Sequence, residues 1–305
     1  MAVRNFMPAW LFWTLLTVVT WGVWSFIARL LAAAIESPAH GQAVSTIGII
    51  PVLVALYAMK EGPASSSRRI GIWLALASGI LSCLGNIAYF DVLNRGAKAA
   101  AVIPVTALYP AVTVLLAVPL LKERVSVLQW LGIALSLAAI YFFNVPTDDS
   151  LVSTWIVFAL GPIVLWGVCG LLQKMATNHI SARLSAIWFL LAFLPVAVIT
   201  LAYDPIPSGL STRTWALAAA FGFSLALGNL TILLAFESGG KASVIAPMGG
   251  LYPLVGIPLA IVLLKEKIGP RELSGILCAL AAVALLSYPS STEVSSTAGS
   301  SMETV

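Results

Sequence analysis

The chain has 305 residues, 60% of them hydrophobic and only 9% charged, and its mean hydropathy is +1.00. That little charge cannot cover a soluble globule, so the solvent around most of the chain is lipid. The net charge of +4 rests on Lys and Arg scattered among polar breaks, which fits membrane topology and excludes a nucleic-acid footprint.

Apolar stretches of about 18 to 26 residues succeed one another, the length a helix needs to cross about 30 Å of hydrocarbon. They predict an all-α integral membrane fold with spans over 8–32, 42–60, 70–93, 97–121 and 127–145. A second set covers 151–175, 183–203, 213–236, 241–264 and 270–289. The first span follows Arg4 and is too long for a cleaved signal segment, so it is expected to persist as a helix. The break Asn144 to Ser150 (NVPTDDS) divides ten spans into five and five, over residues 8–145 and 151–289. The tail, residues 290–305, is rich in Ser and Thr and is expected to be disordered. Cys83, Cys169 and Cys278 lie within apolar stretches without CxxC or His spacing, which suits packing rather than disulfides or metal binding.

The halves are related. Gly96 to Phe142 aligns without gaps on Gly239 to Leu285, with about 19 identities at an offset near 143. Lys98, Pro104, Leu108-Tyr109-Pro110, Leu120-Leu121-Lys122-Glu123 and Gly132-Ile133 match Lys241, Pro247, Leu251-Tyr252-Pro253, Leu263-Leu264-Lys265-Glu266 and Gly275-Ile276. Apolar composition alone does not align those polar and Pro positions. Earlier helices correspond as well: Trp21-Gly22-Val23 with Trp166-Gly167-Val168, Pro51 with Pro195, and Leu84-Gly85-Asn86 with Leu227-Gly228-Asn229. A unit with an odd number of spans enters and leaves on opposite sides, so the second copy is expected to lie inverted, as in secondary transporters.

These duplicated features are a Trp-Gly in the first span, a Pro in the fourth, and a Leu-Leu-x-Glu end before a Gly-bearing helix. In them the chain resembles the EamA-type branch of the drug/metabolite transporter superfamily over about residues 8 to 289. The resemblance implies a ten-helix protein that moves small metabolites across a membrane, and it leaves the substrate open. Lys and Arg counts in the first half place Arg4, Lys60, Arg68, Arg69, Lys122 and Arg124 in the cytoplasm against Arg29, Arg95 and Lys98 outside. Both termini are then cytoplasmic, and a bacterial inner membrane is the expected location.

Catalytic constellations are scarce. His40 and His179 lie in polar breaks, no HExxH occurs, and no paired aspartates sit at membrane depth. Gly239-Gly240-Lys241-Ala242-Ser243 lacks the first Gly of a phosphate-binding loop. No catalytic residue, metal or cofactor is assigned, and the expected partners are a small-molecule substrate and the bilayer, with a coupling ion left open.

The fourth and ninth spans carry Pro in mid-helix, where it removes a backbone donor and displaces the carbonyl four residues earlier. Pro110 frees the carbonyl of Thr106 and Pro253 that of Gly249, so Pro104, Pro110, Pro247 and Pro253 are the candidate hinges. The alternative is a kink satisfied by neighbouring helices. Tyr109 and Tyr252 sit beside these prolines, deeper than belt tyrosines. Thr106, Tyr109 and Thr113 share one helix face, against Gly249, Tyr252 and Gly256 on the other. Asn86 and Asn229 must face inward, either to bind substrate or to join helices. Trp21 and Trp166, mid-span, either wall a cavity or fill it. The candidate substrate-binding set is therefore Trp21, Asn86, Thr106, Tyr109, Trp166, Asn229 and Tyr252. Asp91 and Glu237 lie near helix ends close to Arg95 and Lys241, where pairing competes with gating or ion coupling. Glu123 and Glu266 suit capping of the helix that follows each. A mostly uncharged cavity suits neutral or zwitterionic solutes such as amino acids. The rivals are an intramembrane enzyme and a non-transporting scaffold.

Overall fold

The computed structural model describes residues 8–58, 67–95, 98–122, 126–143, 154–206 and 209–286, and every regular element among them is helical. In the first half these are α1 (Ala9–Ala32), α2 (Pro38–Ala58), α3 (Arg68–Asn94), α4 (Ala99–Thr106), α5 (Tyr109–Leu121) and α6 (Val127–Phe143). The second half has α7 (Thr154–Thr177), α8 (Ala182–Tyr203), α9 (Thr212–Glu237), α10 (Ala242–Gly249), α11 (Pro253–Leu264) and α12 (Pro270–Leu286). The break NVPTDDS, Glu123 and the tail 290–305 lie outside the described residues.

Among the described residues eight helices are long and apolar enough to cross a membrane. The fifth and tenth expected spans, α6 and α12, are described over 17 residues each, or about 26 Å of helix, and they pack against one another. Starts are set by capping. Ser37 accepts from the His40 N–H with Pro38 at the first helical position, so α2 begins four residues before the apolar stretch. Ser181 does the same for α8 through the Leu184 N–H at 3.2 Å.

The fourth and ninth spans are not kinked helices but broken ones. After Thr106 the Leu108 N–H turns back to Val105 O (3.1 Å), and α5 restarts with Pro110 in its first turn. After Gly249 the Leu251 N–H turns back to Met248 O (3.0 Å), and Pro253 opens α11. Pro110 and Pro253 thus occupy helix starts, where the missing N–H is harmless, rather than helix middles. Pro104 and Pro247 do lie inside α4 and α10. The two breaks abut, because a Cβ on Gly250 would meet the Pro110 ring and Ala107 O. Both broken spans end alike, with Lys122 and Lys265 in the left-handed conformation (φ 56° and 55°).

Contacts between the halves come in matched pairs. Gly85 of α3 is filled by the Trp166 indole of α7, and Gly228 of α9 by the Trp21 indole of α1. Gly22 packs on Val255 and Tyr252 O, and Gly167 on Val112 and Tyr109 O. Gly79 lies against Phe189 O of α8, and Gly222 against Ser45 O of α2. In each pair a side chain would occupy the neighbouring helix, so glycine lets the backbones touch. The core therefore runs through the interface of the halves rather than through each half.

Candidate functional site

Where the two breaks meet, α1, α3, α7 and α9 surround a cavity of about 50 Å³. Six of the seven residues expected to bind substrate line it: Trp21, Asn86, Tyr109, Trp166, Asn229 and Tyr252. Thr106 is fully buried behind the wall, its hydroxyl bonded to Val102 O (2.8 Å) and 3.1 Å from the Tyr252 hydroxyl.

Each tyrosine reaches across the interface. The Tyr252 hydroxyl donates to Ile103 O at 3.2 Å, and the Tyr109 hydroxyl donates to Ala246 O at 3.4 Å. Ile103 and Ala246 are matched positions in the sequence alignment, so each ring pins the first part of the opposite broken span. Around them the indoles and phenols form a continuous aromatic wall. Trp24 meets Trp166 edge-on at 5.5 Å and stacks on Tyr89 at 5.3 Å, while Tyr109 meets Trp21 and Trp166 edge-on at 6.3 and 6.4 Å.

Polar groups are few and unevenly satisfied. Asn229 is pinned: Gln173 Nε2 donates to its Oδ1 at 2.9 Å and its Nδ2 donates to Leu225 O at 2.9 Å. Asn86, equally buried, has no partner for either amide atom. Trp24 Nε1 and the Tyr89 hydroxyl are also buried without partners. Elsewhere among the described residues Gln42, Ser185 and Trp188 hold unpartnered polar atoms, outside this cavity. None of the described lining residues is Asp, Glu, Lys, Arg or His.

Sequence reading overlooked Trp24, Ser82, Cys169 and Gln173, all of which line the cavity. Trp24 stands one helix turn from Trp21 and Gln173 two turns from Trp166, so facial periodicity carried the signal. Selecting duplicated residues hid them, since Trp24 matches Cys169 and Gln173 matches Ala28.

The carboxylates lie away from the cavity. Asp91 pairs with Arg95 (2.8 Å), as its spacing suggested, and Arg95 also covers the Phe158 ring at 3.4 Å. Glu237 accepts from the Ala182 N–H (3.0 Å), so it caps α8. Glu266 caps too, and the helix start it caps lies in the other half. It accepts from Ala99 and Ala100 N–H (3.1 and 2.8 Å), at the start of α4 in the other half. Glu123 lies outside the described residues.

A family model described as the EamA-like transporter family matches the chain twice, over residues 8–145 and 153–288. An uncharacterized protein of Methanocaldococcus jannaschii is 29% identical over 132 residues, 43% of this chain and 93% of its own length. An uncharacterized transporter encoded in the region 3′ of cobO in a Sinorhizobium species is 30% identical over 129 residues, 41% of this chain and 89% of its own. Each relative is thus about as long as one family match. A solved crystal structure superposes with a TM-score of 0.63 over 90% of this chain and 94% of its own at 16% identity, which establishes a shared fold.

Proposed function

We propose, from the premise that the chain belongs to the EamA-like transporter family, that it is a secondary transporter working by alternating access around the aromatic cavity. Its two family matches are read as five-helix repeats of opposite orientation, α6 and α12 serving as the fifth and tenth spans. Both termini lie in the cytoplasm on the charge counts of the first half. The observation that carries this reading is convergence: six residues picked from two distant sequence copies line one cavity at the contact of two broken spans. Discontinuous spans leave backbone groups near mid-membrane, where only protein, water or substrate satisfies them.

The substrate class is a small solute without net charge, neutral or zwitterionic with amino-acid-like metabolites included, because no Asp, Glu, Lys, Arg or His is among the residues that line the cavity. An intramembrane hydrolase would need a base beside a nucleophile, and the hydroxyl and thiol of the lining, Ser82 and Cys169, have no imidazole or carboxylate beside them there. Proteoliposomes holding the purified chain are expected to take up or release a metabolite with saturable kinetics. Inversion has its own test: cysteines at Lys122 and Lys265, the matched ends of α5 and α11, should react with impermeant reagent from opposite faces. Reaction from one face would sink the inverted arrangement, and loss of saturable flux over a broad metabolite panel would sink transport.

A further inference from the structure

We infer that the cavity takes a neutral, planar solute bearing an adjacent hydrogen-bond donor and acceptor, a primary amide or lactam edge, read by Asn86 and stacked on the aromatic wall. This rests on the transporter reading and narrows its substrate class. Asn86 lines the cavity and is 1% exposed, yet neither Nδ2 nor Oδ1 has a partner. An amide with both polar atoms unpartnered is complementary to a group that offers an acceptor and a donor side by side, since two parallel bonds then form in one plane. Asn229 has the same residue type in the same cavity and is satisfied by Gln173 and Leu225 O. The fold is therefore able to saturate such an amide and leaves Asn86 unsaturated.

A second unpartnered group points the same way. Trp24 lines the cavity with a buried Nε1–H, a donor only, which asks for an acceptor. The rings of Trp24, Trp166 and Tyr109 stand about 5.5 to 6.4 Å apart, and π faces of this kind stack on flat heterocycles. An ionised carboxylate or ammonium would be buried here with no opposite charge in the lining, whereas a neutral amide satisfies Asn86 without that penalty. The present volume of about 50 Å³ is smaller than an aromatic ring, so binding parts the walls. Tyr109 and Tyr252 adjoin the helix breaks and can move with them.

The test titrates the full chain in nanodiscs with benzamide, nicotinamide and uracil, against N,N-dimethylbenzamide, benzoate, benzylamine and phenylalanine, reading quenching of tryptophan fluorescence. The three amide or lactam probes are expected to bind, and N,N-dimethylbenzamide to bind at least roughly 10-fold more weakly, because it has no N–H for Asn86 Oδ1. Asn86→Leu should weaken benzamide by roughly 10-fold to 100-fold. If that variant does not fold, the ligand comparison on the unaltered protein decides alone. No binding of the amide probes overturns the inference, as does equal binding of the dimethylated form or a preference for phenylalanine. Undiminished benzamide binding by folded Asn86→Leu also overturns it, water then being the partner of Asn86. Flux of phenylalanine in proteoliposomes without binding of the amide probes would keep the transporter reading while the amide class fell; amide binding without flux across the metabolite panel would keep the amide site and remove transport.

Discussion

Asn86 on α3 and Asn229 on α9 occupy matched positions and line one cavity, yet one amide is open and the other is held by Gln173. The scaffold around them has not diverged in this way. Glycine-backbone and glycine-indole contacts still recur in pairs, while the cavity's polar groups differ: Gln173 against Ala28, Trp24 against Cys169, Ser82 against Leu225. Close helix approach is required twice by the architecture. A binding surface is required once, so its polar atoms are free to become one-sided.

The largest expected effect tests the conserved part of that comparison. Gly79→Val and Gly222→Val place side chains against Phe189 O and Ser45 O and should each lose about 3 kcal/mol or more by overpacking, read as loss of a monodisperse peak after extraction. A tolerant member of the pair would break the equivalence of the halves. Next, the asparagines should respond with opposite signs. Asn229→Leu leaves Gln173 Nε2 unpaired and should destabilise by about 1 to 2 kcal/mol. Asn86→Leu removes an unsatisfied amide and should stabilise the substrate-free protein by about 1 kcal/mol while weakening transport. Thermal unfolding of both variants checks this, and equal signs would mean that pairing is not what separates them.

A smaller difference separates the tyrosines. Tyr252→Phe loses a 3.2 Å bond and the Thr106 contact, Tyr109→Phe only a 3.4 Å bond. About 1 kcal/mol is expected for the first and less for the second, with volume nearly unchanged; the reverse order in melting temperature would contradict the geometry. Least of all should follow from Asp91→Asn, whose pair with Arg95 is about a third exposed on both sides and is worth under about 1 kcal/mol. Loss of flux in that variant would instead assign Asp91 the ion-coupling role that its position in the sequence allows.

The all-helical membrane fold and the family matched twice along the chain were legible because both are written in long apolar stretches and in aligned Pro, Trp, Asn and Glu residues. Duplication also located six of the residues that line the cavity, Trp21, Asn86, Tyr109, Trp166, Asn229 and Tyr252. It misjudged Thr106, whose hydroxyl is consumed by Val102 O and the Tyr252 hydroxyl, since a helical face alone does not say which side the neighbouring span covers. The prolines were visible but their effect was not. A Pro in an apolar stretch fits a kink or a restart, and the neighbouring turns at Leu108 and Leu251 decide between them. Glu266 was readable as a cap, but its target lies about 166 residues away in sequence, which no local pattern encodes.

The exchange of indoles between halves bears on how the chain is made. Gly85 emerges during synthesis about 80 residues before the Trp166 that fills it, whereas Trp21 waits about 200 residues for Gly228. A first half standing alone in the bilayer therefore has an open notch in α3 and an indole on α1 with no seat. Both close only when the second half inserts. The seam between the halves is in this sense completed late, by residues of the second half.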